Sequence, residues 1–249
     1  MVSKNAFIHI NANNHAKYRI ICIYHAGGYA SQYAILSKYL PKEIELLIYE
    51  RPGLGSRIGE EQCTDWEQLK RVVFTELEPY LNKPYILFGH SLGASISFEL
   101  VKQLQANKLP LPINLCIGDR EAPPFPYMEY VHLLEDKEFK EILINEYDMS
   151  RDLLNNEDFS SFFLPMLRVE FKLANIYYKI FNPSDELVTC PITVFIPNSS
   201  KKLEESISAW SKFTTEAFEI IRVEGGHFFP TNNTEEFVPK LIKQFNRNH

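Results

Sequence analysis

The sequence predicts an α/β domain in which a mostly parallel β-sheet is flanked by helices on both sides. Short apolar runs alternate along the chain with segments whose apolar residues recur at helical spacing, and this alternation is typical of βαβ units. The apolar runs are nearly continuous, as expected of strands covered on both faces. The chain has 249 residues, of which 45% are hydrophobic, so it is long enough for one such domain with an inserted subdomain.

The first half of the chain contains four runs that predict strands. They are residues 7–10, 18–24, 44–49 and 85–88. Between the second and third runs, apolar residues over 33–40 recur at helical spacing. Proline and glycine predict a loop over residues 50–57. Thr64 or Asp65 can then cap a helix that runs to about residue 81.

The second half resumes the pattern after an interruption. The predicted elements are strands at residues 111–117, 191–196 and 217–223, a helix over 203–210 and a closing helix at 234–245. The interruption is residues 125–187, which read as successive helical segments rich in Phe, Leu, Ile and Tyr. We therefore expect a core of residues 1–124 and 188–249, with residues 125–187 inserted as a helical lid over the site. The alternative is a helical subdomain packed on the flank without a role in access.

Composition and charge exclude several classes of protein. The net charge of −6 and the pI near 5.7 argue against a general affinity for nucleic acid or an anionic membrane, although an acidic partner can still meet a local basic patch. We find neither a signal peptide nor a membrane span, which predicts a cytoplasmic protein. The four cysteines are far apart, which suits reduced core residues better than disulfides or a metal site.

A serine in a sharp strand-to-helix turn is the first candidate catalytic residue. Ser91 lies in the motif G-x-S-x-G between Gly89 and Gly93, after an apolar run and before apolar residues at helical spacing. Such a turn exposes the serine Oγ and aims the N–H of Leu92 at a developing oxyanion. The alternative is that Ser91 merely caps a helix.

The candidate base is a histidine near the carboxyl end of the chain. In hydrolases with this serine motif the base follows the serine, and His132, His227 and His249 do so. His227 follows a predicted strand and two glycines, on the sheet edge where ligands bind. The alternative is a loop histidine with local hydrogen bonds. We interpret His25 and His90, which also flank the site, as scaffold or pocket-wall residues.

A second oxyanion donor is expected in the turn that follows the strand at residues 18–24. That turn reads His25-Ala-Gly-Gly28, and we assign the N–H of Ala26 to the oxyanion hole together with that of Leu92.

Several motifs in the right order resemble one family over nearly the whole chain, namely the type II thioesterases. They are Tyr24-His-Ala-Gly-Gly28, Arg51-Pro-Gly-Leu-Gly-Ser-Arg57, Gly89-His-Ser-Leu-Gly-Ala94, Leu164-Pro-Met-Leu-Arg168, Cys190-Pro-Ile192 and Gly225-Gly-His-Phe-Phe229. These enzymes are stand-alone editing hydrolases of nonribosomal peptide and polyketide synthases. The resemblance implies an α/β-hydrolase fold with a helical lid. It also implies an acyl substrate held as a thioester on the phosphopantetheine arm of an acyl or peptidyl carrier protein.

The catalytic acid departs from the family pattern. The aspartate usually follows the strand equivalent to residues 191–196, but the sequence there reads Pro197-Asn-Ser-Ser-Lys-Lys202, and Glu204 and Glu205 lie too far into the next helix. Related thioesterase domains embedded in synthases place the acid one strand earlier. Asp119 occupies that position, and we assign it to orient His227.

Two alternatives to that assignment stay open. Asp119 can instead cap a turn with Arg120 as its partner, or the site can lack an acid, with Asn198 or Ser199 orienting the histidine.

The sequence therefore predicts a serine thioesterase that needs no cofactor or metal and acts as a monomer on a carrier-bound acyl group. One rival function is an acyltransferase or ordinary esterase on the same fold. A second is a degenerate hydrolase that binds an acyl-carrier protein without turnover, suggested by the acid missing from its usual place.

Overall fold

The computed structural model describes residues 6–11, 16–123, 125, 130–147, 149–181 and 187–246. Within these residues one sheet has seven strands. They are β1 (Phe7–Ile10), β2 (Tyr18–Ile23), β3 (Ile44–Tyr49), β4 (Tyr85–His90), β5 (Asn114–Gly118), β6 (Ile192–Pro197) and β7 (Phe218–Val223). Their order is β1-β3-β2-β4-β5-β6-β7, with only β1 antiparallel to its neighbour. The mostly parallel sheet predicted from the sequence is confirmed.

The inner strands are buried on both faces, which explains why their sequences are nearly continuously apolar. Every residue of β3, β4, β5 and β6 is buried, whereas the edge strands β1 and β7 are partly exposed. In β2, alternate residues join opposite cores: Ile21 and Ile23 pack on one face of the sheet, and Ile20 and Cys22 on the other.

Helices cover both faces of the sheet, as predicted. On one face lie α1 (Trp66–Leu77) and α2 (Leu92–Ala106), and on the other a 3₁₀ helix (Ala30–Tyr39) packs against α8 (Thr234–Ile242). Asp65 caps α1 by accepting a hydrogen bond from the Gln68 N–H at 2.9 Å.

Several predicted elements differ in extent from the observed ones, and the largest differences have local causes. The helix expected to reach about residue 81 ends as α at Leu77 and continues as a 3₁₀ turn that contains Pro79. The strand predicted at 111–117 begins only at Asn114, because proline at 112 has no N–H for the ladder. Residues 30–39 form a 3₁₀ helix, whose buried residues recur every third position.

The described residues between β5 and β6 are mainly helical, as predicted for the insertion. It contains a 3₁₀ turn (Val131–Leu133), α3 (Asp136–Tyr147), α4 (Arg151–Asn155) and α5 (Glu157–Ile180). The predicted insertion begins at residue 125 and ends at residue 187. Next to these two boundaries, residues 124, 126–129 and 182–186 lie outside the described part of the chain.

The remaining helices follow β6 and β7. They are α6 (Glu204–Ser208), a 3₁₀ helix (Ala209–Phe213), α7 (Phe229–Asn232), α8 and a final 3₁₀ turn (Lys243–Asn246). No helix among the described residues is both long enough and apolar enough to cross a membrane. All four cysteines are buried thiols.

Helix α2 approaches β2 so closely that only glycine fits at the contact. A Cβ atom on Gly93 would overlap the carbonyl oxygen of Ile23 and lie 2.8 Å from that of Tyr24. Both contacts are with backbone, so a side chain cannot be accommodated by a rotamer change.

We therefore expect Gly93→Ala to destabilise the fold by about 3 kcal/mol or more, the upper range of overpacking costs. Gly59→Ala is the matched control, because a Cβ there has nothing within 4 Å and should change stability by less than about 0.5 kcal/mol. Urea denaturation measures both, and equal midpoints for the two variants would contradict the close approach.

Candidate active site

The candidate residues lie together where strands end. Ser91 follows β4, Asp119 follows β5 and His227 lies in the loop after β7. Because β4, β5 and β7 run in the same direction, their carboxyl ends lie at one edge of the sheet. Ligands of open α/β sheets bind at this edge.

Ser91 occupies a strained turn between β4 and α2. Its backbone angles are φ 55° and ψ −115°, a conformation that L-residues rarely adopt. Its N–H donates to the Gly118 carbonyl at 2.8 Å, and its own carbonyl accepts from the Ala94 N–H at 3.0 Å. The strand-turn-helix context predicted for the G-x-S-x-G motif is therefore present.

Asp119 and His227 form a short, buried hydrogen bond. The distance from Asp119 Oδ2 to His227 Nδ1 is 2.5 Å, and the two residues are 3% and 8% exposed. The Asp119 N–H donates to the Phe195 carbonyl at 2.9 Å, which ties the residue to β6. A carboxylate in this position selects the imidazole tautomer with a proton on Nδ1 and leaves Nε2 to exchange a proton.

The second oxygen of Asp119 is held by the loop after β6. Lys202 Nζ lies 3.2 Å from Oδ1, and Ser200 Oγ donates to the same oxygen at 3.4 Å. Burial opposes ionisation of Asp119, but the hydrogen bond with His227 and the charge of Lys202 outweigh it and hold the pKa of Asp119 below its ordinary value. We infer that Asp119 is a carboxylate at neutral pH.

The other residues considered for the acid position have different partners. Asn198 donates to Glu224 at 2.7 Å, and Ser199 donates to the Gly225 carbonyl at 2.7 Å. Glu204 pairs with Arg222. Sequence reasoning missed Ser200 and Lys202, although their loop follows β6 at the same sheet edge.

Ser91 and His227 line one small cavity of about 10 Å³, which is room for about one water molecule. Its other lining residues are Ala26, Leu143, Tyr147, Met149, Leu167, Phe171 and Phe228. Four of these belong to helices of the insertion, α3 and α5. The ring of Tyr147 stands edge-on to His227 with centroids 5.2 Å apart. The insertion thus supplies most of the apolar wall.

One of the two residues assigned to an oxyanion hole lines this cavity, and the other directly follows Ser91. Ala26 lines it, in the turn after β2. Leu92 is the first residue of α2, so its N–H has no acceptor within the helix. The positive end of the α2 dipole also points at this position.

His25 and His90 belong to a buried network that sequence reasoning did not foresee. The Tyr33 hydroxyl lies between them, 2.7 Å from His25 Nδ1 and 2.5 Å from His90 Nδ1. Burial, together with the charge of His227, holds the pKa of each histidine well below its ordinary value. Both are therefore neutral, and neither is among the residues that line the cavity, so of the two roles expected for them, scaffold or pocket wall, the contacts favour the scaffold.

The two other histidines weighed as bases lie elsewhere. His132 is in the 3₁₀ turn at Val131–Leu133 and does not line the cavity, and His249 lies outside the described residues. In the described ranges, no group of three or more His, Cys, Asp or Glu side chains is arranged to hold a metal ion.

Comparison with known proteins agrees with this geometry. The sequence profile of the family described as "Thioesterase domain" matches residues 18–245. The gramicidin S biosynthesis protein GrsT of Aneurinibacillus migulanus is 34% identical, over 96% of this chain and 93% of GrsT. Thioesterase PikA5 of Streptomyces venezuelae is 30% identical, over 88% of this chain and 77% of PikA5. The solved structure of BorB, a type II thioesterase from the borrelidin biosynthetic cluster, superposes with a TM-score of 0.82 at 27% identity, covering 94% of each chain.

We predict that Asp119→Asn lowers kcat for hydrolysis of a thioester by about 10³- to 10⁴-fold, because the amide favours the wrong tautomer of His227. Steady-state kinetics with an acyl-pantetheine thioester measures the loss. Asn198→Ala and Ser199→Ala are the controls and should change kcat little. Nearly normal turnover in Asp119→Asn, or a large loss in a Glu204 or Glu205 variant, would reject Asp119 as the acid.

Proposed function

The chain belongs to the thioesterase family and is a hydrolase of thioester bonds, and from this premise we propose that it removes acyl groups from the phosphopantetheine arm of carrier proteins. The carriers are those of a nonribosomal peptide or polyketide synthase. This substrate is supported by the similarity to GrsT, a protein of gramicidin S biosynthesis, and to BorB, a type II thioesterase of a biosynthetic cluster. The serine mechanism is carried by one observation, the 2.5 Å hydrogen bond between Asp119 and His227 in a cavity shared with Ser91.

The first step forms an acyl-enzyme. His227 Nε2 takes the proton of Ser91 Oγ, and Oγ attacks the thioester carbonyl carbon to give a tetrahedral intermediate. When the intermediate collapses, the carbon–sulfur bond breaks and the pantetheine thiol leaves with the proton from His227. The acyl group is then an ester on Ser91.

The second step releases the acid and restores the enzyme. His227 takes a proton from water, the resulting hydroxide attacks the ester carbonyl, and Ser91 leaves with that proton. Asp119 stabilises the imidazolium that forms in both steps without accepting its proton. The N–H groups of Ala26 and Leu92 bind the oxyanion of each tetrahedral intermediate.

We also propose that the insertion acts as a lid. A cavity of about 10 Å³ is too small for an acyl chain, so at least part of the apolar wall formed by α3 and α5 has to move when substrate enters. The alternative of a subdomain packed on the flank is disfavoured because Leu143, Tyr147, Leu167 and Phe171 face Ser91 across this cavity.

The rival functions differ in what happens to the acyl group. A degenerate binding protein was suggested because the acid is missing from its usual loop. The buried carboxylate of Asp119 beside His227 supplies an acid from another loop and so argues against that rival. Acyl transfer uses the same acyl-enzyme and differs only in the acceptor. The monomeric state and the cytoplasmic location stay predictions.

The central test is acylation of Ser91. With an activated thioester, the wild-type enzyme should show a burst of thiol followed by steady turnover, and mass spectrometry should find the acyl group on Ser91. Ser91→Ala should lose the burst and reduce kcat by about 10⁴-fold or more while keeping its fold, because the change opens no cavity in the core.

Each rival gives a different result in this test. Acylation that is resolved only after an amine or alcohol is added indicates a transferase. A wild-type enzyme that binds the carrier protein but is never acylated indicates a binding protein. Turnover near wild type in Ser91→Ala would reject the nucleophile.

The lid proposal predicts a change of acyl preference in Leu143→Ala. Removing this wall side chain should change the ratio of two kcat/KM values, that for a longer acyl thioester divided by that for an acetyl thioester. We expect this ratio to rise by about tenfold, since a methylene or two in an apolar pocket gives about 1–3 kcal/mol of discrimination. Reaction with a small activated ester should barely change. Leu154→Ala is the matched control, because Leu154 is as buried, lies on α4 of the same insertion and does not line the cavity. Equal shifts in the two variants would contradict the lid.

A further inference from the structure

The inserted helix α5 carries a buried carboxylate that contacts the turn after β2. Glu170 is 1% exposed, and its Oε2 atom accepts a hydrogen bond from the Gly27 N–H at 2.5 Å. Its Oε1 atom accepts another from Arg51 Nε at 2.6 Å. The mechanism described above uses neither side chain, yet both are buried beside the site.

Arg51 holds the other side of the same turn. Its Nη1 and Nη2 atoms donate to the carbonyl oxygens of Tyr24 and His25, each at 2.8 Å. Its guanidinium also lies over the Tyr24 ring, 3.9 Å from the centroid. Three backbone groups of the turn, the carbonyls of Tyr24 and His25 and the N–H of Gly27, are therefore bound by one ion pair.

These contacts determine where the Ala26 N–H points. The carbonyl of His25 and the N–H of Ala26 belong to the same planar peptide group, in which they point in opposite directions when the bond is trans. An Arg51 atom that fixes the His25 carbonyl therefore fixes the Ala26 N–H as well. Ala26 lines the cavity that Ser91 also lines, whereas Arg51, which binds the opposite end of this peptide group, is not among the residues that line it.

Apolar contacts with α5 hold the next residue of the turn. Gly27 has φ 78°, and a Cβ on it would lie 2.8 Å from Leu167 Cδ1 and 3.1 Å from Phe163 Cζ. Both side chains belong to α5, as Glu170 does. Polar and apolar contacts thus both connect helix α5 to the turn after β2 at the same place.

We propose that Glu170 is a positioning residue for the oxyanion hole. It orients Arg51 and binds the Gly27 N–H, and the pair together aims the Ala26 N–H at the oxyanion. The insertion then contributes to the chemistry as well as to the acyl pocket, and a serine reaction is fully supported only when α5 is in place. This inference rests on the proposed serine mechanism and extends it.

The test is Glu170→Gln, which keeps the size of the side chain and an acceptor for one N–H but removes the charge that orients Arg51. We expect kcat for the thioester to fall by about 10- to 100-fold, with little change in KM. This fall is no larger than the fall in kcat caused by removing a complete oxyanion donor. Affinity for a trifluoromethyl ketone carrying the same acyl chain should fall by a similar factor. This inhibitor forms a bond from Ser91 Oγ to its carbonyl carbon, which places an oxyanion in the hole and a proton on His227.

Ground-state binding separates positioning from general damage. In a Ser91→Ala background, Glu170→Gln should leave the Kd for the intact thioester unchanged. Arg51→Lys is the second variant, because it keeps a positive charge for Glu170 but cannot bind both carbonyls, and it should reproduce the loss in kcat and in inhibitor affinity.

Glu45→Gln is the matched control. Glu45 and Arg19 form another buried ion pair, near the amino ends of β3 and β2 and so at the far edge of the sheet. Loss of this ion pair in Glu45→Gln should lower the stability of the fold without lowering kcat or inhibitor affinity. The inference is overturned if Glu170→Gln and Arg51→Lys behave like Glu45→Gln, or if their losses appear only in KM and Kd. Failure of the serine mechanism itself is distinguishable, because the wild-type enzyme would then form no adduct on Ser91.

Discussion

The turn at Ser91 sets the positions of most other groups in the site. Its backbone lies in a region that L-residues seldom adopt, so neighbouring structure has to hold it there. The hydrogen bond from its N–H to the Gly118 carbonyl joins the end of β4 to the end of β5, one residue before Asp119. The contact of Gly93 with the Ile23 carbonyl brings α2 against the end of β2, two residues before the turn that contains Ala26. The proposed nucleophile, acid and oxyanion loop are therefore positioned by one set of close backbone contacts.

The electrostatics of the site favour a charged Asp119 and neutral side chains at His25 and His90. His25 and His90 lie with His227 in a cluster of rings, and burial keeps the first two neutral. Asp119 has the opposite surroundings, since the imidazole and the Lys202 ammonium favour its charged form. A carboxylate beside a histidine in a poorly hydrated site is what stabilises an imidazolium during acyl transfer. The loop that usually carries the acid in this family still takes part here, through Ser200 and Lys202.

The insertion is attached to the core in two chemically different ways. Apolar side chains of α3 and α5 form the cavity wall, and such contacts can be broken and remade, as the proposed lid movement requires. The buried pair of Arg51 and Glu170 is different, because separating its members leaves an uncompensated charge away from water. For the proposed lid, this asymmetry favours opening through α3 and α4 while α5 stays on the core.

Local sequence determined the strands, the Ser91 turn, His227 and the helical insertion, since apolar spacing and glycine positions act within a few residues of where they occur. The assignment of Asp119 came from the resemblance to thioesterase domains embedded in synthases, which place their acid after the equivalent strand, together with its position in a loop at the carboxyl edge of the sheet. Only the tertiary structure decided which oxygen of Asp119 meets His227, that Tyr33 joins His25 to His90, and that Glu170 reaches Gly27 across 143 residues of chain. Such contacts depend on the paths of several loops and on packing between distant elements. No short stretch of sequence contains that information.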